Sequence, residues 1–124
     1  FLADQDGYIH GLPVPFLGQP SSAVVGPATF AKKFGSPVVP IFTSRKPEGG
    51  HIVHILPPLH YNNSGDDDVD MYTLTEECVR VTEDFIREHP DEWIWFQHRW
   101  MTKMSEIVDY YKKLEIRERA HEKQ

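Results

Sequence analysis

Asp4, Gln5 and Asp6 stand together directly behind the apolar run Phe1, Leu2, Ala3. Two carboxylates and an amide at the end of a strand can take hydrogen bonds from a ligand's hydroxyls or orient a basic group. In open α/β sheets, ligands sit beyond such strand ends. The same residues also suit a turn in which an aspartate caps the backbone ahead of Gly7. Residue types alone leave these two readings even. A second group lies in "HPDEWIWFQHRWMTK", where Arg99 is flanked by Trp95, Phe96 and Trp100. A guanidinium among aromatic rings is either stacked as part of the core or aimed at an anion.

Other chemically suggestive residues point to structure. His51 and His54 form His-x-x-His, but on a strand residues three apart face opposite ways and cannot converge on one ion. Asp66, Asp68, Asp70 and Glu77 fall at positions 1, 3, 5 and 12 of a calcium loop, yet position 6 is Met71, where that turn requires glycine. Acidic residues ahead of a helix N-terminus are the simpler reading. Cys78 is the single cysteine, so no internal disulfide is available, and its place on an apolar helix face predicts a buried, inert thiol. Neither a metal nor a cofactor is expected.

The elements that must position these residues follow from pattern. Residues 1–3 read as a short buried strand. Residues 7–25 carry Gly7, Gly11, Pro13, Pro15, Gly18 and Pro20 among apolar residues, too broken for a helix and too apolar for a free linker. Such ordered loops cover or line sites. "PATFAKKF" is predicted as a short helix, opened by Pro27 and closed by Gly35. "SPVVPIFTSRK" and "HIVHILPPL" read as two strands around the turn "PEGG", with Pro40 marking an edge or an irregularity. Residues 73–89 are predicted helical: Thr73 and Glu76 suit a capping box, and Leu74, Cys78, Val81 and Phe85 share a face. The Trp-rich stretch suggests another helix, with Trp93, Phe96 or Gln97, and Trp100 on one side. From Met104 a helical pattern becomes fully charged and is expected to be solvated or frayed at its end. The fold class is therefore α/β: a mixed sheet flanked by helices, incomplete in this chain. Residues 1–103 form the domain part, and residues 104–124 a charged C-terminal helix or tail.

Composition excludes whole classes of function. The net charge is −6, with 13 basic against 19 acidic side chains. A nucleic-acid surface needs a basic excess, so no nucleic-acid partner is expected. The opening "FLAD" reads as the inside of a strand, and we expect the chain to be a fragment.

Several stretches together resemble one family. "FLADQD", "VPFLGQPSSAVVGPATFAKKFGSPVVPIF", "HIVHILPPL" and "HPDEWIWFQHRW" follow one another as in the C-terminal half of the lauroyl/myristoyl-type lipid A biosynthesis acyltransferases. The likeness runs from Phe1 to about Met101. It implies transfer of a fatty acyl chain from an acyl carrier protein thioester to a hydroxyl of a lipid A precursor, on the cytoplasmic face of the bacterial inner membrane. It implies that Asp4, Gln5, Asp6 and Arg99 bind substrate. The membrane surface is expected to be met through the full-length protein. His98 stands where many members carry arginine. The family's base is a His-x-x-x-x-Asp/Glu pair, in which the acid orients the histidine. No histidine here has an acid five positions on: His10 leads to Pro15, His51 to Leu56, His54 to Leu59, His60 to Gly65, His89 to Ile94 and His98 to Lys103. The chain alone is therefore expected to be inactive. Phosphatidylinositol mannoside acyltransferases are similar in the Asp-x-Asp strand and the Val-Pro strand. The alternative of another class is a non-catalytic module binding lipid or protein through the Pro/Gly loop and the aromatic block.

Overall fold

The computed structural model describes residues 1–122. Its elements in order are β1 (Leu12–Pro13), β2 (Ser22–Ala23), α1 (Gly26–Phe34), β3 (Ile41–Arg45), β4 (His51–Ile55), α2 (Asp67–Glu88) and α3 (Tyr110–Glu122). This is a mixed α/β arrangement, as the pattern predicts. The described strands do not share one sheet. They form two separate antiparallel pairs, β1 with β2 and β3 with β4.

α2 is the element around which the rest is laid. It begins six residues before the predicted Thr73, because Asp66 accepts a bond from the Val69 N–H and three further aspartates fill the first turn. The predicted capping box does not form: Thr73 Oγ1 donates to the Val69 carbonyl, and Glu76 pairs with His121. The calcium-loop carboxylates are likewise engaged within the protein. Asp70 accepts from the Ser64 N–H and hydroxyl, Asp66 pairs with Arg119, and Glu77 with Arg80.

α2 is buried on two sides, which a single apolar stripe does not reveal. Leu74 and Cys78 pack on Ala28 and Ala31 of α1. Val69, Tyr72, Val79 and Ile86 face the main core with Leu12, Val14, Phe16 and Ala23 from the broken loop. α1 runs as expected and ends at Gly35, whose φ of 63° is the left-handed conformation that glycine takes without strain. Burial, with the nearby Glu77 charge, pushes the Cys78 thiol up to about 11. Cys78 should therefore resist iodoacetamide at pH 8 in the native protein and react promptly in denaturant. Rapid native labelling would show that α1 and α2 part readily.

The β3–β4 hairpin lies within the two predicted strands and is shorter than either, with Ile41 opposite Ile55 and Arg45 opposite His51. Pro40 lies just before β3 and gives its carbonyl to the Leu56 N–H. One face meets α2 through Phe42, stacked on Phe85 at 4.4 Å. On the other face Ile41, Val53 and Ile55 are exposed.

Three further expectations are corrected. Residues 1–3 form no strand, and Phe1 and Leu2 are exposed at 75% and 67%; the Phe1 ring lies edge-on against Phe30 instead. The Trp-rich stretch is a series of turns rather than a helix. Its backbone gives up helical bonds so that Trp93, Gln97, Arg99 and Trp100 can each reach inward. The charged C-terminal segment is docked rather than frayed: α3 buries Ile116 and Ala120, and Lys113 donates to the Gly11 carbonyl.

Candidate functional site

The site is built where the first residues of the chain meet residues 93–102. Asp4 Oδ2 accepts from Trp93 Nε1 at 3.1 Å and from Gln97 Nε2 at 3.0 Å. Its Oδ1 has no hydrogen bond among the described residues. Asp4 thus has one oxygen fixed by the protein and one left for another donor. Gln5 is exposed beside it.

Asp6 has a different environment. It is 6% exposed and forms an isolated bridge with Ala23, where the sequence suggests a strand end. Oδ1 accepts from the Thr102 hydroxyl at 2.6 Å and the Tyr8 N–H at 2.7 Å; Oδ2 accepts from the Thr102 N–H at 3.0 Å. Burial pushes the Asp6 carboxyl up, but the Thr102 bonds, the Tyr8 bond and the charge of Arg99 outweigh it and hold its pKa below the ordinary value. The chain can turn here only because Gly7 lacks a side chain: a Cβ there would collide with the carbonyl of Ala23.

Arg99 is 1% exposed and lies 4.4 Å over the ring of Phe16. Its stacking partner comes from the distant loop, not from the neighbouring tryptophans. Nη1 donates to the Ser22 carbonyl at 2.9 Å, while Nε and Nη2 find no acceptor among the described residues. Burial lowers its pKa, and the nearby carboxylates of Asp6, Asp4 and Glu83 oppose that shift. The structure therefore brings the four predicted residues to one region in two layers. Asp4 and Gln5 face outward, and Asp6 and Arg99 lie behind them in the interior.

A cavity of about 260 Å³ opens beside Asp4. Phe1, Leu2, Ile41, Phe85, Ile86 and Trp93 give it apolar walls, and Thr43, His89 and Glu92 add polar groups. Glu92 is already engaged by the Arg45 N–H at 2.8 Å and by Arg45 Nε at 3.2 Å. That backbone bond, more than the paired charge, holds the Glu92 carboxyl below its ordinary value. Sequence reading missed Thr102, Thr43 and His89. Only Trp93 and Gln97, two side-chain donors four apart, carried a signal for the cradle around Asp4.

Among the described residues no helix is long and apolar enough to cross a membrane. Among curated proteins, no relative matches the chain. A family profile described as bacterial lipid A biosynthesis acyltransferase matches residues 1–102 and ends on Thr102, the residue that closes the bonds around Asp6. Matching most of the chain, it shows that the chain belongs to the bacterial lipid A biosynthesis acyltransferase family.

Proposed function

We propose that this chain is the acceptor-holding part of an enzyme that moves a fatty acyl group from acyl carrier protein to a hydroxyl of a lipid A precursor, at the cytoplasmic face of the bacterial inner membrane. Family membership supports the reaction class. The observation that carries the site is the free oxygen of Asp4, whose carboxylate is held by Trp93 and Gln97 and lines a cavity with largely apolar walls. A fixed carboxylate oxygen takes a charge-assisted bond from an acceptor hydroxyl and orients it for attack on the thioester. Gln5 adds an exposed amide for the same acceptor. Asp6 and Arg99 act as positioning residues, keeping the chain around Asp4 in place. Proton removal needs a His-x-x-x-x-Asp/Glu pair, and no histidine of residues 1–124 has an acid five positions on.

The test uses the full-length enzyme with acyl carrier protein thioester and lipid A precursor. Asp4→Asn is expected to cut kcat/KM by roughly ten- to a hundredfold, equal to about 1–3 kcal/mol of lost charge-assisted bonding, with little change in the melting temperature. Unchanged turnover in a properly folded Asp4→Asn variant would remove Asp4 from the site.

A further inference from the structure

We infer that the 260 Å³ cavity beside Asp4 admits a neutral, hydroxyl-bearing stretch of an amphiphile and turns away an anionic headgroup. The inference rests on the acyltransferase reading only for its biological setting; the selectivity follows from the side chains around the cavity.

Size comes first. Pockets for whole drug-sized ligands run from about 300 to 1,000 Å³. This cavity is smaller, so it takes a segment of a larger molecule. Its apolar walls suit an alkyl stretch. Three polar groups line it: Asp4 Oδ1, the Thr43 hydroxyl and the His89 ring have no hydrogen-bond partner among the described residues, so they are open to a ligand. Asp4 offers an acceptor, and Thr43 offers both donor and acceptor. A ligand hydroxyl can donate to the first and either donate to or accept from the second.

Charge then decides between headgroups. Asp4 and Glu92 line the cavity and no lysine or arginine side chain does; Glu92 is paired with Arg45, so Asp4 carries the uncompensated negative charge. Arg45, the cation that meets Glu92, is spent on Glu92 and on Asp91. A phosphate entering here meets like charge with no bidentate partner, whereas phosphate sites are built from arginine forks, lysines or helix N-termini. The end of α2 beside the cavity is a C-terminus, with His89 as its cap, so its dipole also opposes an anion. Arg99 cannot supply the missing charge, because it is sealed behind Phe16 and is 1% exposed.

The experiment compares two amphiphiles of equal tail length, octyl glucoside and octyl phosphate. Both are titrated below their micelle concentrations into the isotope-labelled chain and followed by backbone amide shifts. Octyl glucoside is expected to shift Asp4, Thr43, His89 and Trp93, and to bind at least about tenfold more tightly than octyl phosphate. Asp4→Asn should narrow that gap by roughly tenfold, through tighter phosphate binding. Thr43→Lys, at an exposed wall position, is the second variant and should reverse the preference. Equal or tighter binding of octyl phosphate to the wild type would overturn the inference. So would shifts centred elsewhere, or a preference unmoved by both variants. None of these outcomes depends on turnover, so a failed acyl-transfer assay with the binding preference intact would count against the reaction and not against the cavity.

Discussion

Asp6→Ala is expected to lower the unfolding free energy by about 3–5 kcal/mol, measured by urea denaturation at pH 7. The substitution leaves the Thr102 hydroxyl and N–H and the Tyr8 N–H without their acceptor, and it removes the carboxylate that compensates the buried Arg99. Thr102→Val removes one of those bonds and keeps the shape, so about 1–2 kcal/mol is expected. Acid provides a second check. The folded pKa of Asp6 lies below its ordinary value of 3.8, so the stabilisation from this carboxylate is present above that value and is lost as the pH falls through the folded pKa. The stability gap between wild type and Asp6→Ala should therefore be full at pH 7 and shrink below pH 4. An Asp6→Ala protein as stable as its parent would show that these bonds are replaced by water at no cost.

Arg99→Ala is expected to cost a similar amount, about 3–5 kcal/mol. The change deletes a stem packed on Phe16, the bond to the Ser22 carbonyl and the positive charge beside Asp6. Arg99→Met should cost clearly less, since it keeps most of the volume and also removes Nε and Nη2, which find no acceptor among the described residues. Because Asp6 and Arg99 share one interior site, the double variant should lose less than the sum of the single losses. Thermal melts of the three variants test this. An Arg99→Met protein less stable than Arg99→Ala would mean that the guanidinium is compensated more fully than the geometry shows.

Local pattern predicted α1 and the two strands of the hairpin, because their signals lie within the elements themselves: Pro27 and Gly35 at the helix ends, "PEGG" at the turn. The start of α2 was misplaced because Thr73 and Glu76 mimic a cap, while the true cap lies in the acidic run at Asp66. The Trp-rich stretch misled for a tertiary reason. Its spacing fits a helix, but four of its side chains have partners in the first 25 residues, and those partners bend the backbone into turns. The site divided in the same way. Asp4, Gln5, Asp6 and Arg99 could be picked out by type. Which carboxylate is free and which is buried depends on Thr102, 96 residues from Asp6, and no local pattern reports a contact of that range.

That separation also has a meaning in time. Asp4 to Gln97, Asp6 to Thr102, Phe16 to Trp100 and Ser22 to Arg99 all tie the opening of the chain to residues 97–102. A chain growing from the ribosome at about 5–20 residues per second makes α1, the β3–β4 hairpin and α2 first. For those several seconds the segment from Leu12 to Ala23 has apolar residues and no aromatic lid to cover them. Helix and hairpin form in microseconds, whereas these closures wait for synthesis and then bear the entropy of a loop about 90 residues long. The segment from Leu12 to Ala23 is therefore closed over only once residues 97–102 have been made, and the Thr102 bonds to Asp6 are the last of these ties to become available.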